Sequence, residues 1–577
     1  MLTDSVDTTP EDLPPLDLPP ETPRQELESS LFPHLDAETQ DELFQLALSD
    51  YQSAQNDRQE WEGRLAEWDE QYYGITTDKT YPWPGASNLH VPLTMLGIET
   101  LKPRLTEAIL GGPILVSPVE GTDSERAERV ELFLNWQRQT ELKIEGLVNE
   151  TAHLFLNPGL TVAKMTWEVK RRRRKFVRTF PVSVPHEEIL ASVLGGSVPN
   201  TTKQLPGLKW EGELPSTPSG GPPLKFTIEF SIEKEYVHVK VERDELTEKP
   251  KIAVVSHLDF FAPFDGGSNI QELPWLCERS YMTEQDLRRN VYLRVFEEKV
   301  VDELIRHQTP TGEDSDQDAQ GYRDQLSEVS GSEPDPETSV TAGSYEVLQF
   351  CRSWDIDDDG WDEEIIYWVT PQLPGKLLGW NYLENVYAHG LRPYAVGRYH
   401  PVPFKFLPLS FPEIVRNLQE EINTIHNQRV DFNTITNLPW YFYRAGSTHS
   451  AGVYKLRPGE GIPIDNPQTD IMMPRWQSNP QFGANEESID YQYFERLTGL
   501  TDLALGRQPN RVGATRTATG VASLLNESGL RFKTAMHSFQ QFWVDIFEQV
   551  LALDQQYLPP GKEFRVTGKL PEFVRLS

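Results

Sequence analysis

Two hydrophobic periods take turns along this chain, and the points where they switch divide it. The stretch "DAETQDELFQLALSDYQSAQNDRQEWEGRLAEWDEQYYG" places Leu43, Leu46, Leu48, Trp61, Leu65 and Trp68 at roughly helical spacing among charged residues. Three more helical patterns follow, near 94–110, 122–140 and 143–156. From about residue 160 the period drops to two. "LTVAKMTWEV" and "KFVRTFPVSV" predict strands on either side of a charged turn at Lys170–Lys175. Strand patterns resume at "FTIEFSIEKEYVHVKVE" and "KIAVVSHLDFFAPF". "YEVLQFCRSW" and "EEIIYWVT" predict a hairpin around an acidic turn. After Phe411 the period of 3.6 returns, with Ile414, Leu418, Ile422 and Ile425 on one stripe and a very polar remainder. A short strand-rich stretch, 438–480, separates this helix from a second, "NEESIDYQYFERLTGL". The last pattern is about 40 residues of helix interrupted only by Gly520 and Gly529, with Phe532, Phe539, Phe542, Trp543 and Phe547 at core spacing.

Between the last two helices lies "GRQPNRVGATRTATG", Gly506 to Gly520, which has no apolar period. The formal net charge of the 577-residue chain is −34, yet no acidic residue occurs from Leu503 to Asn526. Arg507, Arg511 and Arg516 therefore stand in an acid-free window. Gly506, Pro509 and Gly513 keep that window irregular. So acidic a protein is no ordinary nucleic-acid binder, since phosphates are held by basic patches. That balance does not exclude a protein that must let DNA pass without holding it, since a surface of like charge repels phosphates. Composition adds little else. The acidic, Pro-rich residues 1–30 read as a disordered tail and as the opposite of a signal peptide, and flexible insertions are expected near 185–222 and 308–343. Cys277 and Cys351 are the only cysteines, which points to a reducing compartment rather than a disulfide scaffold. No apolar run approaches the roughly 20 residues of a membrane helix.

The order helix, small β module, helix, irregular basic loop, long glycine-interrupted helix resembles the portal (head-to-tail connector) proteins of tailed bacteriophages, particularly the short-tailed kind. "YPWPGASNLHVPL", "LQEEINTIHNQRVDFNTITNLPW" and "TATGVASLL" carry the likeness, in that order. The resemblance implies an α+β fold with a mixed wing at 31–410, stem helices at 411–437 and 481–498, and a small β-containing clip at 438–480. It further implies a tunnel loop at 499–517, a long kinked wing helix at 518–557, and the start of a crown or a C-terminal wing segment at 558–577. It implies a non-enzymatic subunit of a ring, typically a dodecamer, without a cofactor. Such a ring sits at one capsid vertex of the virion and is assembled in the host cytoplasm. Its expected partners are the major capsid protein, a terminase motor, a tail adaptor or head-completion protein, and the double-stranded DNA that is packaged and ejected. Arg507, Arg511 and Arg516 would touch phosphates in the bore, or pair with acids on a neighbouring subunit.

Other readings compete at particular residues. Asp355, Asp357 and Asp359, followed by Gly360, match the first half of a calcium loop, but position twelve is Ile366 and the flanks read as strands. A plain acidic turn fits better. The same cluster, Asp355–Glu364, would serve the rival function, a metal-dependent DNA-processing enzyme, although two-metal sites gather carboxylates from several elements. "KRRRRKF" suggests a nucleic-acid patch or a solvated tip. Gly506 and Gly513 lack the Gly-Lys-Ser/Thr of a P-loop. Ser447, His449 and Ser450 lack a nucleophile elbow. His426 has no second ligand one turn away, and Trp83 suits either an interface or the core.

Overall fold

The computed structural model describes residues 35–76, 83–118, 124–181, 209–214, 224–233, 236–267, 269–307, 344–356, 359–437, 442–443, 471–472, 480–500, 518–558, 563–566 and 572–575. The chain opens with α1 (Ala37–Tyr73), capped by Asp36, whose side chain accepts from the Thr39 backbone N–H. Then come α2 (Leu93–Leu110), α3 (Ser124–Gln137), which runs into a π-turn at Arg138–Leu142, and α4 (Glu145–Leu156). A first sheet is built from β1 (Leu160–Pro181), β2 (Lys209–Leu214), β3 (Leu224–Glu233) and β4 (Tyr236–Val255). A second begins with β5 (Phe260–Phe261) and β6 (Trp275–Met282), followed by α5 (Glu284–Tyr292) and α6 (Glu298–His307). It is completed by β7 (Tyr345–Trp354), β8 (Glu363–Val369) and β9 (Leu377–Tyr382). The short α7 (Leu383–Val386) leads to β10 (Tyr394–Arg398), which returns to the first sheet. The remaining elements are α8 (Phe411–Asn437), β11 (Phe442–Tyr443), β12 (Ile471–Met472), α9 (Pro480–Thr498), α10 (Ala518–Tyr557), β13 (Glu563–Val566) and β14 (Glu572–Arg575).

Both five-stranded sheets are antiparallel, in the orders β10-β1-β4-β3-β2 and β5-β6-β7-β8-β9. Strand β7 lies between two apolar cores. Tyr345, Val347 and Cys351 enter one, while Leu348 and Phe350 enter the other with Leu43, Phe44, Ala47 and Tyr51 of α1. A strand covered on both faces loses the simple apolar–polar alternation, and here Glu346, Gln349 and Arg352 are buried with the apolar residues. Where the two sheets meet, a polar cluster adjoins the apolar contact of Phe260 with Tyr394. Lys164 of β1 donates to Glu278 of β6 and to Gln349 of β7, and the Tyr394 hydroxyl of β10 donates to Glu278 at 2.7 Å. Helix α10 lies over β10, where Phe542 sits so near Gly397 that a Cβ there would come within 3.1 Å of its ring. Phe539, Phe542 and Trp543 are buried there, and Phe547 packs against the same core.

The basic run is not a turn. Residues 170–175 stand in the middle of the 22-residue β1, paired with the acidic part of β4: Arg172 opposite Glu245, Arg173 opposite Asp244, Lys175 opposite Glu242. Lys175 Nζ lies 2.9 Å from Glu242 and holds that carboxyl below its usual range. Opposite charges across a ladder stabilise one register, and a slip of one residue would put them on opposite faces. The three opposite-charge pairs thus favour this register, against one like-charge pair, Arg174 opposite Arg243.

Residues 1–30, the segment 308–343, and most of 185–222 and 438–480 lie outside the described residues, as do Ser447, His449 and Ser450.

Candidate functional site

Helix α8 starts where Ser410 accepts from the Glu413 backbone N–H, and Pro412 sits in the first turn, where its missing N–H costs nothing. Helix α9 runs back along it. Phe411 meets Phe494 with ring centroids 6.4 Å apart, and Ile425 lies beside Gly483. Between them, Glu487 takes both His426 (3.2 Å) and Arg429 (3.0 Å). The two helices are therefore antiparallel, and His426 is an ion-pairing residue between them. Asp490 is buried on the same seam, and its Oδ2 has no partner among the described residues. Burial, then the carboxylates of Glu421, Glu486 and Glu487, raise its pKa above the ordinary aspartate value.

The other flank of α8 is bound differently. Gln419, Asn423, Asn427 and Asp431, each four residues apart, face the extended segment Ser87–Val91. Asp431 accepts from the Ser87 backbone N–H at 2.7 Å. Asn427 accepts from Leu89 N–H at 2.7 Å and donates to Leu89 C=O at 3.0 Å. Asn423 accepts from Val91 N–H at 2.8 Å, and Gln419 donates to Val91 C=O while accepting from Thr94 N–H. The spacing has a physical cause. Four helical residues rise about 6 Å, and two residues of extended chain span about 6.6 Å. One amide per helical turn therefore meets every second backbone unit, as a neighbouring strand would. His90 completes the arrangement: its Nε2 lies 3.0 Å from the Gln71 carbonyl, and Asn423 Nδ2 lies 3.3 Å from Nδ1. Donation by Nε2 and acceptance by Nδ1 is the neutral tautomer, and burial depresses the His90 pKa.

The remaining face of α8 exposes Asn417, Glu420, Glu421, Thr424 and Gln428, neutral and acidic side chains, with Arg416 at its edge bridging Glu420 (3.3 Å) and Glu67 (3.1 Å). At the end of α9, Gly499 adopts φ 74° and its N–H bonds to the Glu495 carbonyl, closing the helix with a left-handed residue. Leu500 is then buried, its N–H held by the Thr498 hydroxyl. The acid-free window opens three residues beyond this fixed point, at Leu503, and the described chain resumes at Ala518. Arg507, Arg511 and Arg516 lie outside the described residues.

The acidic turn is occupied by its own backbone. Asp355 accepts from Asp359 N–H (3.2 Å) and Gly360 N–H (2.8 Å), and Asp359 accepts from Trp361 N–H (2.8 Å). Glu363 accepts from Ile356 N–H, and Glu364 receives both ends of the buried Arg392 guanidinium. Asp357 lies outside the described residues. These carboxylates are turned to separate partners, and no group of three metal-ligating side chains converges among the described residues. Trp83 is 36% exposed, which removes the core-burial reading.

A family model for the "Phage SU10 portal protein" matches residues 43–575. The chain belongs to that portal family. No curated protein matches it. Membership implies an oligomeric ring associated with capsid and DNA at a virion vertex, a structural component of the phage particle. The α+β architecture of portals fits the two sheets and the long helices. No helix among the described residues is long and apolar enough to cross a membrane.

Sequence reasoning missed the amide ladder on α8. Its signal was present as Gln419, Asn423, Asn427 and Asp431 at a strict spacing of four, opposite an extended segment with no strand of its own to pair with.

Proposed function

We propose that this portal protein forms the DNA channel at one capsid vertex, acting as conduit and docking ring rather than as an enzyme. In this reading α8 and α9 are the stem. Residues 438–480 form a clip at its far end that docks the terminase during packaging and the tail adaptor afterwards. The wing, up to about residue 410, meets the major capsid protein. The segment 499–517 is the tunnel loop, and α10 is the wing helix above it.

The observation that carries this reading is the helix pair itself. It presents a neutral and acidic polar face on α8 and ends at Leu500, three residues before the acid-free stretch that carries Arg507, Arg511 and Arg516. Duplex DNA then slides past a wall that repels phosphate and meets cations where that stretch enters the bore. The rival metal-dependent enzyme finds no support in Asp355, Asp359, Glu363 and Glu364, which are engaged in turn and ion-pair contacts. Negative-stain imaging of the purified protein tests the reading: rings with a central hole are expected, and compact monomers at micromolar concentration would overturn it.

A further inference from the structure

Sheet edges are where chains add to one another, because an edge strand carries a row of backbone N–H and C=O groups with no ladder to join. Among the described residues the first sheet has two such edges. Strand β10 covers β1 only from Leu160 to Lys164, and the Pro393 carbonyl takes the Met165 N–H one residue further on. Beyond that point β1 runs to Pro181 paired with β4 on one side alone. At the opposite margin of the sheet, β2 pairs only with β3. The open part of β1 carries six successive bases, Lys170–Lys175, whereas β2, "KWEGEL", carries Glu211 and Glu213.

The two edges match in direction and in level. From β1 through β4 and β3 to β2 each step is antiparallel, so β2 runs opposite to β1. A cyclic ring joins each copy to its neighbours through two different faces, and successive copies in a large ring are turned only slightly. The β2 edge of one copy therefore meets the β1 edge of the next in the antiparallel sense, and the pattern of the sheet continues. The ladders give the level. Glu211 pairs with Thr227, Thr227 with Glu242, and Glu242 with Lys175; Trp210 leads in the same way through Ile228 and Val241 to Phe176. Two residues along, Glu213 falls level with Arg173. Lys175 already meets Glu242, yet its side chain is 60% exposed and has room for a second carboxylate. Opposite charges across a ladder favour pairing and like charges oppose it, so two β1 edges repel each other while a β1 edge admits β2. Twist turns adjacent strands by roughly 20–25°, which keeps such a contact short, and β2 is six residues long.

We infer that β2 of one copy pairs antiparallel with the Arg172–Val177 part of β1 in the next copy of the ring. That pairing rests on the ring reading above. The basic run then serves two ladders, meeting the acids of β4 within its own copy and those of β2 from the neighbour.

Disulfide trapping tests it on the full chain. The two native cysteines give a clean background, since both are buried and burial pushes the Cys351 thiol up to about 12. Two double variants are oxidised, Lys175→Cys/Glu211→Cys and Phe176→Cys/Trp210→Cys. At least one should give a ladder of covalent multimers, because successive antiparallel positions alternate between close and wide spacing. Within one copy the paired positions stand three strand spacings apart, about 14 Å, too far for a disulfide, so any bridge joins two copies. In the variant that links through Phe176→Cys/Trp210→Cys, adding Glu211→Lys and Glu213→Lys should lower the yield about tenfold; an unchanged yield would overturn the inference by removing charge as the reason for the match. Intact rings without a ladder from either pair would overturn it and leave the ring reading standing. So would dimers from Lys175→Cys alone, because like edges would then meet. Absence of rings in the unmodified protein would overturn the ring reading and the pairing with it.

Discussion

The two flanks of α8 hold their neighbours by opposite means. On the ladder flank, buried amides of Gln419 and Asn427 pair with backbone groups of 87–94, and geometry leaves one register. On the α9 flank, contact rests on Phe411 with Phe494, on partly exposed ion pairs at Glu487, and on Asp490 with a buried oxygen unpartnered among the described residues. The first flank is specified residue by residue. The second tolerates adjustment, because apolar contact is non-directional and partly exposed ion pairs contribute little. In the proposed channel, this division anchors α8 to the body on one side and leaves the contact with α9 the more adaptable one.

The largest expected effect lies where one helix closes over both flanks. Gly97 of α2 sits against Phe411 and Phe494, and an added Cβ would come 2.2 Å from the Phe411 ring and 3.3 Å from Phe494. Gly97→Ala should cost about 3 kcal/mol, the upper range for overpacking, read by urea denaturation. A cost under 1 kcal/mol would show that this junction is loose.

Breaking each flank singly comes next. Asn427→Ala strands the backbone N–H and C=O of Leu89 and should cost about 2–3 kcal/mol. Arg429→Ala, which removes an ion pair from a 31%-exposed arginine, should cost less than about 1 kcal/mol. Equal costs would erase the contrast.

A further effect, comparable to that of Arg429, has the opposite sign. In the folded chain Asp490 keeps its proton more tightly than in the unfolded chain. Its charge therefore destabilises the fold as pH rises through the ordinary value of 3.8, and the penalty is complete above the raised folded pKa. Asp490→Asn should stabilise by about 1 kcal/mol at pH 7 and by nothing at pH 3. A gain independent of pH would mean that the carboxylate charge is not the cause.

Much of this contrast was legible in the residues, and the rest fails for identifiable reasons. The 3.6 period of Ile414, Leu418, Ile422 and Ile425 reads directly as a helix, since one face must be buried. The ladder reads as plain surface polarity, because Asn and Gln show their partners only when an extended segment more than 300 residues away is placed beside them. The run at Lys170–Lys175 reads as a turn because charge runs usually sit in solvent. Its complement, Glu242 to Glu245, lies about 70 residues downstream and counts only once the two strands are in register. The acidic turn at Asp355–Gly360 was legible for the reverse reason: Asx geometry is local, so Asp355, Asp359 and Gly360 explain one another.

The central proposal is that the acid-free stretch from Leu503, with Arg507, Arg511 and Arg516, meets DNA in the channel. The most direct test replaces Arg507, Arg511 and Arg516 together with alanine and measures DNA retained in assembled heads, with rings counted by microscopy. The account predicts normal rings and reduced packaged DNA, since each lost phosphate contact is repeated around the ring and such contacts are salt-sensitive. Normal rings with normal packaging and retention would contradict it. Failure to form rings would contradict it too, by assigning these arginines to acids on the neighbouring subunit.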